Sequence, residues 1–179
     1  MLFRSTIIEV AKNFPINYES AEEVMSFAPD MVLTSRHSSL ATRTALDNVH
    51  IRTELFNEPQ TVEDSIAQVR EVAALVGHPE KGEQVAAAIQ SAFDAVTLPA
   101  GAPRLSVLLY QRNGFSTGAG TLMDEVMTRA GFINAAGRYG LANWRVIPLE
   151  RVVADPPDVL LAAELRPDVP VWADRVMRH

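Results

Sequence analysis

Glu22-Glu23-Val24-Met25-Ser26-Phe27-Ala28-Pro29-Asp30-Met31-Val32-Leu33 and Glu150-Arg151-Val152-Val153-Ala154-Asp155-Pro156-Pro157-Asp158-Val159-Leu160-Leu161 lie over one another without a gap. Each reads as a helix opening with a glutamate, then a Pro-Asp turn, then an apolar run of strand length. Pro-Asp ahead of a strand is common turn chemistry, so one copy means little. Two copies at equal glutamate-to-proline spacing, one on each side of a helical middle, read as two lobes of like build. In α/β units a helix runs antiparallel to its strand, so helix starts and strand ends share one sheet edge, where ligand crevices lie. Glu22 and Glu150 are therefore expected at the rims of the two lobes. Singly, each glutamate is explained by its helix dipole, worth about 0.3–1 kcal/mol. As a matched pair they read as a two-point docking surface for a basic partner.

Outward from these repeats, short β runs alternate with helices, which predicts α/β units with mainly parallel sheets. Ser20 with Glu23 forms a capping-box pattern at a helix start. Met31 to Thr34 reads as a buried strand, Ser35 to Ser38 as a polar loop, Ser39 to Asp47 as a short helix and Ile51 to Phe56 as a second strand. Thr61 caps a helix carrying Val62, Ile66, Val69, Ala73 and Val76 on one face, and Gly77 ends it. Pro79 opens another helix with Val85, Ile89, Ala92, Phe93 and Val96 in register. Leu98 to Pro103 is the clear linker. Leu105 to Tyr110 is a strand, and a glycine-rich loop from Asn113 to Gly120 leads to a helix capped by Thr121 and closed by Gly131. Phe132 to Val146 reads as irregular, Pro148 as a helix start, and Asp158 to Leu161 as the last strand. The domain reading is a remnant of an N-terminal lobe at 1–77, an interlobe helix at 78–98, a linker at 99–103 and a truncated C-terminal lobe at 104–179.

Composition bounds the chemistry. The 179 residues are 47% apolar and 21% charged, enough for a packed core. The net charge of −6 disfavours nucleic acid as a partner. Without cysteine there are no disulfides, thiolate zinc sites, iron–sulfur clusters or cysteine nucleophiles. No run reaches the roughly 18 apolar residues of a membrane helix, and Met1 to Val10 does not read as a signal peptide. The helix that begins at Val171 stops two residues after Met177, so the chain reads as part of something longer.

Three stretches carry a family likeness: Ser20 to Val24 with Pro29 to Val32; Ser116 to Leu122 with Gly131 to Asn134; and Pro148 to Val152 with Pro157-Asp158. In order and spacing they resemble the class III periplasmic substrate-binding proteins of ABC importers, which carry ferric siderophores, haem or cobalamin. The likeness runs from about Pro15 to the end. It implies two lobes joined by a helical spine, an iron or cobalt chelate held between them, no resident cofactor and no enzymatic step. It also implies a monomer working outside the inner membrane, periplasmic or lipid-anchored. In the family one glutamate per lobe docks onto arginines of the permease, which works with its ATPase; Glu22 and Glu150 match those positions. The family's leader and first strand–helix unit are not visible here.

For the crevice, the loops after strands are the expected lining: Ser35 to Ser38, Tyr110 to Phe115 and Ala163 to Arg166. Arg36, His37, Arg112 and Arg145 have the chemistry to hold an anionic chelate. Tyr110, Phe115, Tyr139 and Trp144 have the faces to stack on a flat one. Singly, Tyr110 also reads as core and Arg145 as a solvated charge. His37 reads as a surface histidine rather than a metal ligand, since no second ligand stands at metal spacing. His50, His78 and His179 carry no further signal.

Rival readings are three. Gly114-Phe115-Ser116-Thr117-Gly118 fits G-x-S-x-G, the nucleophile elbow of a serine hydrolase, with Asp158 or Asp168 and His179 in a permitted triad order. Gln111-Arg112-Asn113 ahead of the motif and Ala119-Gly120 behind it fit that elbow badly. Gly118-Ala119-Gly120 before a helix can also cradle a phosphate, against a plain loop that needs positive φ or close backbone approach. A cytoplasmic interaction module would leave the matched glutamates unexplained.

Overall fold

The structure, a computed structural model, describes residues 8–96 and 101–162. The chain divides into two units, Met1–Glu58 and Pro59–His179. The first opens with one helical turn, α1 (Ile8–Ala11). α2 (Ala21–Ser26) is started by Ser20, whose hydroxyl accepts from the Glu23 amide at 3.2 Å. The capping box is only half formed, because the Glu23 carboxylate accepts from the Tyr18 amide at 2.6 Å instead of reaching back to Ser20. β1 (Met31–Ser35) follows the Pro29-Asp30 turn. α3 (Leu40–Asn48), capped by Ser39, then returns the chain to β2 (Arg52–Phe56). The two strands are parallel, from Met31 opposite Arg52 to Ser35 opposite Phe56, which is the expected α/β crossover.

The burial expected of β1 is corrected. Among the described residues of this unit only Ala21 and Leu46 are buried, and Leu33 is exposed. Among the described residues β1 pairs only with β2, and a two-stranded sheet has too little surface around it to cover both faces of a strand. A cavity of about 340 Å³, lined among others by Val24, Phe27, Leu33, Thr42, Arg43 and Leu46, lies within this unit.

The second unit begins with α4 (Val62–Leu75). Thr61 Oγ1 accepts from the Asp64 amide at 2.9 Å and Asp64 Oδ2 accepts from the Thr61 amide at 3.1 Å, a complete capping box. Gly77, at φ 78°, ends the helix in the left-handed conformation that favours glycine. α5 (Pro79–Asp94) packs back along α4. Its contact stripe is Gly82, Ala86, Ile89 and Phe93 rather than the expected stripe through Val85, which is exposed. The helices lie too near for a larger residue, since a Cβ on Gly82 would stand 2.6 Å from the Ala73 Cβ.

β3 (Ser106–Tyr110) is the buried central strand of this unit. A 3-10 turn, Arg112–Gly114, leads into β4 (Phe115–Thr117), and α6 (Leu122–Arg129) follows its Thr121 cap. Then come β5 (Ile133–Asn134), a 3-10 segment Ala135–Tyr139, β6 (Trp144–Val146), α7 (Leu149–Ala154) and β7 (Val159–Ala162). β5, β3 and β7 form a parallel sheet in that order. β4 and β6 form an antiparallel ribbon with Phe115 opposite Val146, Ser116 opposite Arg145 and Thr117 opposite Trp144. The glycine-rich loop of the sequence reading thus contains one strand, β4, and its irregular segment two, β5 and β6. Leu108, Tyr110, Ile147 and Val152 pack with Ala135 and Ala136 in one core cluster. Val62, Ile66 and Ala86 make another. Arg129 bridges Glu63 (2.5 Å) and Glu125 (2.6 Å), and Glu125 accepts from the Val62 amide at 2.7 Å, so α6 is tied to the start of α4.

The paired stretches fold alike. Ala21–Ser26 is followed by a strand from Met31, and Leu149–Ala154 by a strand from Val159, with the glutamate second in each helix.

Candidate functional site

The ribbon of β4 and β6 builds the most distinctive surface of the second unit. Side chains alternate along a strand, so Phe115, Thr117, Trp144 and Val146 share one face. On it the rings of Phe115 and Trp144 stack at 5.3 Å between centroids and 12° between planes. They are 39% and 41% exposed, so the stack keeps free ring surface toward solvent. Val146 beside them is also exposed. Arg145, on the other face, is exposed and makes no ion pair with a described residue. The ribbon is anchored by the Gln111 amide donating to the Phe115 carbonyl at 2.8 Å and the Ile147 amide donating to the Gly114 carbonyl at 2.8 Å. It therefore springs from the end of β3, the sheet edge where α/β crevices form.

Glu150 lies at that same edge. It is exposed in the first turn of α7. Its carboxylate is near enough to reinforce burial, the larger cause, in pushing up the Tyr110 phenol. In the first unit Glu22 is likewise exposed at the start of α2. Thr42 in the first turn of α3 donates to the Glu19 carbonyl at 2.9 Å, so the chain entering α2 meets the start of α3. Arg36 and His37 are exposed in the loop between β1 and α3, with the Arg36 amide donating to the Phe56 carbonyl at 3.1 Å. Neither lines the cavity of this unit.

Two expected ligand residues are core residues. Tyr110 is 8% exposed and directs its hydroxyl at the Ile147 carbonyl at 3.4 Å. Tyr139 is 5% exposed and donates to the Asp155 carbonyl at 2.6 Å. Burial, then Asp155, pushes its phenol up, against a smaller opposite effect of Arg138 and Arg151. Their hydroxyls are committed inside the unit. Arg112 begins the turn before β4. Ala163 to Arg166, Asp168, Trp172 and His179 lie outside the described residues, as does the expected terminal helix.

The nucleophile elbow is overturned. Ser116 sits in the middle of β4, not on a strand-to-helix turn, and is 0% exposed. Its Oγ has no hydrogen-bond partner among the described residues. The phosphate-cradle reading fails for a different reason. The Gly120 amide already donates to the Asp124 carboxylate at 3.1 Å, so an acidic side chain occupies that helix start. Gly120 has φ 79°, the plain-loop alternative. Among the described residues no group of His, Asp and Glu can hold a metal ion, and no helix is long and apolar enough to cross a membrane.

Comparison with known proteins adds the family. The family model described as a periplasmic binding protein matches residues 6–179. The periplasmic haem-binding protein RhuT from Roseiflexus sp. RS-1, in apo form, superposes with a TM-score of 0.70 at 27% identity, over 80% of this chain and 57% of that one. The periplasmic haem-binding protein BhuT in complex with two haems gives 0.72 at 26% identity, over 88% and 63%. A periplasmic haem-binding protein from Pseudomonas aeruginosa gives 0.74 at 20% identity, over 94% and 63%, a likeness of fold. The chain thus spans 57–63% of the length of these solved chains. Comparison with curated proteins finds no match.

Proposed function

The chain belongs to the periplasmic binding protein family, and from that premise we propose that it is the ligand-capturing part of an ABC importer for a flat metal chelate. The family consists of substrate-binding transport proteins, and the reading includes no enzymatic step. Haem is the favoured chelate over a ferric siderophore or cobalamin, because the two solved proteins named above at 27% and 26% identity are described as haem-binding.

The observation that carries the reading is the half-exposed stack of Phe115 on Trp144. A rigid aromatic pair on a sheet edge suits a flat macrocycle, and aromatic contacts add about 0.5–1.5 kcal/mol beyond the area they bury. Arg36 and His37, exposed in the loop after β1, supply cations for carboxylates on the ligand. In this reading the lobes are 1–77 and 104–179, and the interlobe helix at 78–98 is a spine that limits closure to a small motion. Glu22 and Glu150 dock onto basic residues of a permease served by its ATPase. In this reading the protein works as a monomer outside the inner membrane.

Titration with haemin, a ferric siderophore and cyanocobalamin, followed by tryptophan emission, tests the ligand. Saturable quenching by haemin, weakened about two- to tenfold by Phe115→Ala, is expected. Saturation by a siderophore alone would change the chelate, and no saturation by any of the three would sink the reading.

A further inference from the structure

The G-x-S-x-G stretch, emptied of its catalytic meaning, still has two glycines to account for. They stand at the two ends of β4. At Gly114 a Cβ would run into the Ile147 carbonyl, and the same backbone carries the bond from the Ile147 amide to the Gly114 carbonyl at 2.8 Å. At Gly118 a Cβ would stand 2.6 Å from the Leu141 carbonyl oxygen and 2.8 Å from that of Asn143, while the Gly118 amide donates to the Asn143 carbonyl at 2.6 Å. Each contact is with backbone, which cannot swing aside as a flexible side chain does. Asn143 and Ile147 flank β6 immediately on either side. Each end of the ribbon is therefore closed by a glycine against the residue that borders Trp144 or Val146.

We propose that Gly114 and Gly118 are positioning residues for ligand capture: together they clamp β4 onto β6 and so set the stack of Phe115 on Trp144. The clamp deepens the reading of the ribbon as a ligand face and rests on it. The residues between the glycines fit the same account. Ser116 and Thr117 are small and fully buried, so the strand lies flush with its surroundings between the two closures. Gly118 isolates the contact effect, since its φ lies outside the left-handed region and only the neighbouring carbonyls exclude a side chain. Gly120 is its natural control. With φ 79° and nothing within 4 Å of a Cβ, it is constrained by backbone conformation alone.

The test compares Gly118→Ala with Gly120→Ala in a Trp172→Phe background, where Trp144 is the one remaining tryptophan. Without ligand, Gly118→Ala is expected to shift Trp144 emission to the red and to weaken the near-ultraviolet dichroism of the stacked rings. Its haemin affinity should fall about two- to tenfold, the value of one aromatic contact. Gly120→Ala should lower the thermal midpoint and leave emission and affinity unchanged. Unaltered emission in Gly118→Ala, or equal affinity losses in both variants at matched stability, overturns the clamp. If Gly118→Ala does not fold, amide exchange of the parent chain decides: the Gly118 and Ile147 amides must be among the slowest of the second unit, and exchange at loop rates overturns the proposal. A parent chain that ignores haemin while Gly118→Ala still shifts Trp144 emission supports the clamp and removes the ligand assignment, so the two failures are told apart.

Discussion

Asp158, the aspartate of the second Pro-Asp turn, does more than end a helix. Its carboxylate accepts from the Ser106 amide at 2.7 Å and the Ser106 hydroxyl at 2.6 Å, while that hydroxyl accepts from the Asp158 amide at 3.0 Å. These bonds, the Ser106 hydroxyl first, hold the carboxyl below the ordinary aspartate value. A carboxyl depressed in the folded state contributes stability that is fully present above its unfolded value and is lost as pH falls through the folded one. Ser106→Ala should therefore lower the thermal midpoint most at neutral pH, and the gap from the parent should narrow below about pH 3.9. Thermal melts across pH check this; a gap that stays constant with pH would assign the bond no ionic character. In the sequence Asp158 is legible as a turn residue, but its partner lies 52 positions away and leaves no local trace. The aromatics show the same limit. Tyr110, Tyr139, Phe115 and Trp144 all follow or form short β runs, and only the packing separates the buried pair from the stacked pair.

At the scale of elements, the helices with glutamates at their starts carry the docking proposal. α2 and α7 are six residues each and place Glu22 and Glu150 at the same step of the first turn. Both side chains are exposed, so reversing them leaves the core untouched. Glu22→Arg with Glu150→Arg, in the full-length protein, should abolish chelate uptake by cells while haemin affinity measured in solution stays within about twofold of the parent. Uptake that survives the double change removes the docking role. Elements of this kind are legible because their signals are local. Ser20, Thr61 and Thr121 accept from the amide three residues on, and Gly77 and Gly131 have the positive φ of helix ends. β4 and β6 are three residues each and pair across a long stretch that includes α6. No two-residue period can be read from so short a run. In α5 the periodicity favours the bulky Val85 over the small Gly82, although close helix approach selects the small residue.

At the scale of the molecule, the two units differ in how much they bury. The described part of the first holds two buried residues and the 340 Å³ cavity, where the Arg43 Nε is buried without a hydrogen-bond partner. The second has a central strand and two core clusters. Stability follows buried apolar surface. In urea the amides of β1 and β2 should lose protection at lower concentration than those of β3 and β7, with Trp144 emission following the later change. Coincident loss across both units would show one cooperative fold. The family and the α/β class are legible in the repeat; the uneven packing is not, because burial depends on which neighbours a strand has.

The near contact of α5 with α4 at Gly82 and Ala73 also has a mechanical meaning. Two rods joined along their length resist flexing far more than either one alone, as a laminated strut does. Thermal agitation is then expressed at the ends of the pair, where the chain turns into other elements, and hardly at all along its span.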